Sequence, residues 1–232
     1  MSTTESPGNH VISLSARETS IDFPWIRLRR ARSPHSVHVP RLRSSVIDPS
    51  FIGLTRAWLE SFVVAHDICP FAGRESRRDA IRYAVADATD LEGLLHELVA
   101  ECRSLDAEPG IATTLLIAPA GMEDFDDYLD WLELAERLLE DLEYTGIYQL
   151  ASFHPDYVFD GVEASDPANA TNRSPYPMLH LLREAELERA LASYPDPESI
   201  PERNMATLRA PGSEALAASR RVLARAGGAA QE

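Results

Sequence analysis

The chain has 232 residues, 44% of them hydrophobic and 25% charged, the composition of a globular domain whose core needs neither metal nor disulfide to fold. All 22 basic residues are arginine, which excludes Schiff-base chemistry, a lysine-anchored pyridoxal phosphate, a Walker A lysine and a lysine general base. The formal charge is −15; seven arginines against four acids give residues 1–50 a net of +3, leaving −18 on the rest, and so acidic a body repels nucleic acid and anionic membrane.

Residues 1–48 are rich in Ser, Pro and Arg without sustained periodicity and read as a disordered basic tail. Asp48-Pro49-Ser50 marks the boundary of a domain spanning 49–210, and 211–232 reads as an Ala/Arg-rich C-terminal tail. No apolar run approaches the roughly 20 residues that span a bilayer, and the N-terminus has no apolar secretory core. Only two cysteines, Cys69 and Cys102, accompany that lack of an export signal, so the expected compartment is the cytoplasm. There the sequons at Asn169 and Asn172 are chance matches.

Leu54, Trp58, Leu59, Phe62 and Val63 have helical spacing, and the pattern predicts a helix from Leu54 to Cys69 that Pro70 stops. Ile81, Tyr83 and Val85 alternate with more polar residues as a strand over 81–87. Thr89-Asp90-Leu91-Glu92 then matches a capping box, opening a helix with Leu91, Leu94, Leu95, Leu98, Val99 and Cys102 on one face. Thr113–Ala118 is a continuous apolar run suited to a central strand buried on both faces. The acidic patch 123–127 complements the N-terminus of the next helix, whose stripe is Tyr128, Trp131, Leu132, Ala135, Leu138, Leu139 and Leu142.

Ile147–His154 forms a third strand. The stretch from Pro155 to Ser174 has no element of its own, and loops of that length are often functional. Ser174-Pro175-Tyr176-Pro177 predicts the start of a helix running to Ser193, and Asp196-Pro197 the start of another reaching Arg209. The order defines an α/β fold, a single domain with a small sheet of at least three strands, crossover helices and two C-terminal helices. A split arrangement with some antiparallel pairing is the alternative.

Groups of catalytic type fall at the ends of these elements. Cys69 ends the first helix, His154 ends the third strand, and Arg173 and His180 flank the start of the predicted fourth helix. Ligands of open α/β sheets bind beyond the carboxyl ends of strands, which is where His154 stands. Cys69, His154 and His180 make a chemically sensible donor set for zinc or iron, although no short ligand spacing links them. Asp156 would orient His154, and Arg173 would bind an anionic small molecule. Cys69 could instead be a nucleophile activated by a nearby cation. Cys102 sits on the apolar face of its helix as core. The bland counterparts are a strand-capping His154, an apolar Cys69 and an Arg173 that orders the loop.

Several stretches together carry a resemblance: Trp58-Leu59 through Cys69-Pro70-Phe71-Ala72, Thr113–Ile117 with Pro119, Leu150–Tyr157, Thr171–Pro177 with Leu179–Glu184, and Glu202-Arg203-Asn204. They resemble the bacterial family of uncharacterised proteins catalogued as domain of unknown function 1415, over roughly Leu54 to Arg209. The family implies a domain and no activity. The leading expectation from the residues is therefore a cytoplasmic enzyme acting on a small anionic molecule. Its rival is a non-catalytic binding or accessory protein in which the same polar groups order the long loop.

Overall fold

A computed structural model describes residues 49–229; the basic segment 1–48 lies outside the described residues. The chain order is α1 (Pro49–Trp58), a π-helical turn (Leu59–Val64), α2 (Ala72–Arg77), β1 (Ile81–Val85), α3 (Leu91–Ala107), β2 (Thr113–Ile117), α4 (Phe125–Asp141), β3 (Tyr148–Phe153), β4 (Met178–Arg183), α5 (Glu184–Ala192), α6 (Ile200–Arg209) and α7 (Glu214–Ala229). The four strands form one sheet in the order β1-β2-β4-β3. β1 and β2 are parallel, joined by α3, while β4 lies antiparallel to both β2 and β3. The fold is α/β with a mixed sheet.

Each face of the sheet carries its own apolar cluster. On one side α3 and α4 bring Leu94, Leu98, Leu105, Trp131 and Ala135 against Leu116, Leu150, Leu179 and Leu181. On the other, α1, the π turn and α7 bring Trp58, Phe62, Ala215 and Val222 against Leu115, Ile117 and Met178. Side chains alternate between the faces of a strand, so parity along β3 and β4 assigns every residue to one cluster or the other. All five residues of β2 are buried, as a central strand requires.

Helix caps follow local chemistry. Asp124 accepts from the amides of Asp126 and Asp127 at the start of α4, which accounts for part of the acidic patch as capping. At α3 the cap is Asp90, whose side chain accepts from Gly93 N–H, one residue later than a Thr89 capping box would place it. Gly121 has φ +92°, and a Cβ there would stand 2.1 Å from the Thr89 carbonyl oxygen, so the turn after β2 requires glycine.

Three expectations are corrected. Residues 178–183 are a strand, not part of a helix from Ser174 to Ser193. Pro175 and Pro177 push Ser174 and Tyr176 into extended backbone, and Met178–Leu182 is a short apolar run whose period does not distinguish strand from buried helix. The vacancy between β2 and β3 decides it. Likewise the segment from 211, read as a tail or frayed helix outside the domain, is part of it: α7 buries Ala215, Ala218, Val222 and Ala226, small residues that let it lie close on α1. The single helix read over 54–69 is α1 continued by the π turn, which ends at Val64, and the chain turns before Cys69.

Candidate functional site

β3 ends at Phe153, and the next residue begins the long loop. His154 is fully buried, its ring 5.1 Å from those of Phe125 and Tyr128 of α4. Asp156 N–H donates to His154 Nδ1 (3.0 Å), so that nitrogen is the acceptor and Nε2 carries the proton, donated to the Met122 carbonyl (3.0 Å). Both ring nitrogens are thus engaged by backbone. Burial pulls the imidazole below its ordinary pKa of 6.5 and keeps it neutral. Asp156 orients His154 through its amide rather than through its carboxylate, which lies on an exposed residue.

Arg173 closes the same loop. Its Nε donates to Tyr157 O (3.1 Å) and its Nη2 to Ala164 O (2.9 Å), while its own carbonyl accepts from Trp58 Nε1–H (3.0 Å). The guanidinium grips neutral carbonyls of its own loop, with neither an anion nor an acid needed to explain its place.

Residues that sequence reasoning passed over complete the network. Asn169 donates to Glu163 O and accepts from Phe159 N–H; Asn172 donates to Ser152 O, and its carbonyl accepts from His154 N–H. Both amides are buried, so neither is an acceptor for glycan. Asp166 caps a 3-10 turn (Pro167–Thr171) and pairs with Arg209 of α6 at 2.7 Å. Tyr128 donates to Met178 O and accepts from Phe153 N–H, joining α4 to the ends of β3 and β4. The Asn-rich run 169–172 was the available signal: short amides in a polar loop satisfy backbone groups that no strand or helix can reach.

Cys69 and His180 lie elsewhere. The Cys69 loop is pinned by α6: Asn204 Nδ2 donates to Ile68 O (2.7 Å), and Arg203 donates to Asp67 O (2.7 Å) and pairs with its carboxylate (3.2 Å). The backbone N–H groups of Phe71 and Ala72 point at the thiol, but burial outweighs them and pushes its pKa up. Cys69 is therefore a protonated thiol near neutrality, packed against the cluster beneath α1 and α7. Iodoacetamide should label it slowly in the native protein at pH 7.5, accelerating only above the ordinary thiol range. Neutral-pH labelling as fast as that of free cysteine, read by mass spectrometry, would reverse the assignment.

His180, in the middle of β4, sits opposite Leu115 and Ala151. Its Nε2–H donates to Thr113 Oγ1 (2.7 Å), whose own hydroxyl donates to the Leu181 carbonyl. Burial drops its pKa from 6.5 to about 4. It shares a face with Met178 and its ring lies 6.1 Å from that of Phe153, so it belongs to the α1/α7 side.

The expected donor set is thereby divided. His154 lies on the α4 side of the sheet, while Cys69 and His180 lie on the other. No three His, Cys, Asp or Glu side chains among the described residues are arranged to hold a metal ion, so the Cys69–His154–His180 centre for zinc or iron does not form. His154, Asp156 and Arg173 belong to one loop, His154 held by the Asp156 amide and Arg173 by the Tyr157 and Ala164 carbonyls.

A mixed four-stranded α/β domain with an internally bonded loop at the end of β3 is the class of protein that the fold and this region define. The chain belongs to the family described as Protein of unknown function (DUF1415), whose model matches residues 50–218 and so reaches into α7. No curated protein and no solved structure matches it. Among the described residues no helix is long and apolar enough to cross a membrane.

Proposed function

We propose that this protein is a non-catalytic binding or accessory protein of the cytoplasm. The observation that carries the reading is the bonding of its catalytic-type residues: both nitrogens of His154 and two arms of Arg173 end on backbone groups of their own region. A general base needs a nitrogen within reach of substrate, and an anion clamp needs its donors pointed outward. Here the same groups hold the loop shut. The neutral histidines and the protonated Cys69 thiol support the reading, and two free cysteines agree with a reducing compartment.

The test is genetic and biophysical together. A cell lacking the gene is complemented with Cys69→Ala, His154→Gln and Arg173→Lys chains, and each variant is also unfolded in urea. Rescue should follow stability alone, and Cys69→Ala should rescue fully. A Cys69→Ala chain that folds as well as the wild type yet fails to rescue overturns the reading in favour of thiol chemistry.

A further inference from the structure

The outer surface of α3 and α4 has its own character. Inward, the two helices fill the core with Leu94, Leu98 and Leu105 from α3 and Leu132, Ala135 and Leu139 from α4. The apolar stripe of α3 is wider than that contact needs, and Leu95 and Val99 spill over its edge. With Leu91, Leu138 and Leu142 they wall an open groove of about 510 Å³ that also touches Glu92 and His96. Leu134, Leu142 and Ile147 are the large apolar side chains left exposed among the described residues, at 37%, 43% and 46%, and all lie on α4 or just beyond it. Of the three, Leu142 lines the groove, and an apolar groove with an exposed leucine at its edge has the character of an interaction surface.

Charge says what kind of partner fits. α3 and α4 together carry eleven acids against Arg103 and Arg137; of these acids, Glu97, Glu101, Asp106 and Glu133 are engaged by loop amides, Arg82, two tyrosines and Arg137, and the rest keep the surface acidic. Two such surfaces repel one another, which disfavours a second copy, whereas a cation-bearing partner is drawn in. The wall from Leu91 to Val99 is about 12 Å long at ~1.5 Å per residue, room for apolar anchors at i, i+3 or i+4, and i+7 of an incoming helix.

We infer that the α3/α4 groove docks a cationic amphipathic helix of a partner protein. The inference rests on the reading of the protein as a binding module and adds the chemistry of what it binds. The leucines of the partner enter the groove and its arginines or lysines meet the acidic flanks.

Fluorescence anisotropy with the full chain tests it. The probe is a labelled synthetic peptide of about 14 residues with Leu at i, i+3, i+4 and i+7 and Arg elsewhere; its twin carries Glu for Arg. Saturable binding of the Arg peptide is expected, weakened by salt and about tenfold weaker in Leu95→Asp and in Leu142→Asp, with no binding of the Glu twin. Leu142 is already 43% exposed, so Leu142→Asp keeps the test alive if Leu95→Asp does not fold. Unchanged affinity in Leu142→Asp, equal binding of both peptides, or no saturable binding overturns the inference. So does a sedimenting dimer that Leu142→Asp dissolves, which assigns the face to a second copy. Cys69→Ala rescue reports on the non-catalytic reading alone: failed rescue with intact peptide binding rejects that reading, and failed peptide binding with full rescue rejects the groove.

Discussion

Replacing Trp58 with alanine should lower stability by about 3–5 kcal/mol, the range for truncating a buried large aromatic. Trp58 is 1% exposed, stands edge-on to Phe153 with ring centroids 5.2 Å apart, and donates to the Arg173 carbonyl across the sheet end. It therefore fills the α1/α7 cluster and ties off the loop at once. Trp58→Phe separates the two roles, because it keeps most of the packing and leaves the Arg173 carbonyl without its donor. That variant should lose about 1–2 kcal/mol and should open the 155–173 loop to limited proteolysis before the rest of the domain. Urea unfolding measures the first effect and mass spectrometry of early cleavage sites the second. A Trp58→Phe protein with wild-type midpoint and an intact loop would show that the indole hydrogen bond secures nothing.

The second large effect is on acid stability. His180 is neutral in the fold with a pKa of about 4, against 6.5 for the free side chain. Between those values the unfolded chain takes up a proton that the folded chain refuses, so its contribution is complete above pH 6.5 and is lost as the pH falls toward 4. The difference amounts to roughly 3 kcal/mol. His154, also lowered by burial, acts with the same sign, and its protonation sets an Nδ1–H against the Asp156 N–H. Asp127 and Glu184, whose carboxyls burial pushes up, work in the opposite direction. Urea midpoints measured from pH 7 to 4.5 should fall, and His180→Gln, which can still donate to Thr113 Oγ1, should flatten the slope. A wild-type midpoint that stays level over that range refutes the assignment.

The α3 and α4 helices were legible because a buried helix face writes itself at i, i+3 and i+4, and Thr113–Ile117 was legible because a strand buried on both sides has no polar phase. β4 was not. Met178–Arg183 carries too few residues to show a period, and its identity as a strand comes from backbone partners on β2 and β3 that are distant in sequence. The misreading matters for the site: once 178–183 is a strand, parity puts His180 on the face opposite His154, and the three-residue donor set falls apart.

Composition fixed the chemical exclusions, since the absence of lysine is a property of the chain in any conformation. Local pattern fixed most helices, three strands and the long loop after His154. Only tertiary structure decided what the chemistry-bearing residues do. A histidine's two nitrogens and an arginine's donors acquire roles from whatever lies about 3 Å away, and those neighbours, Met122, Tyr157, Ala164 and Thr113, are set by the packing of separate elements rather than by adjacent sequence.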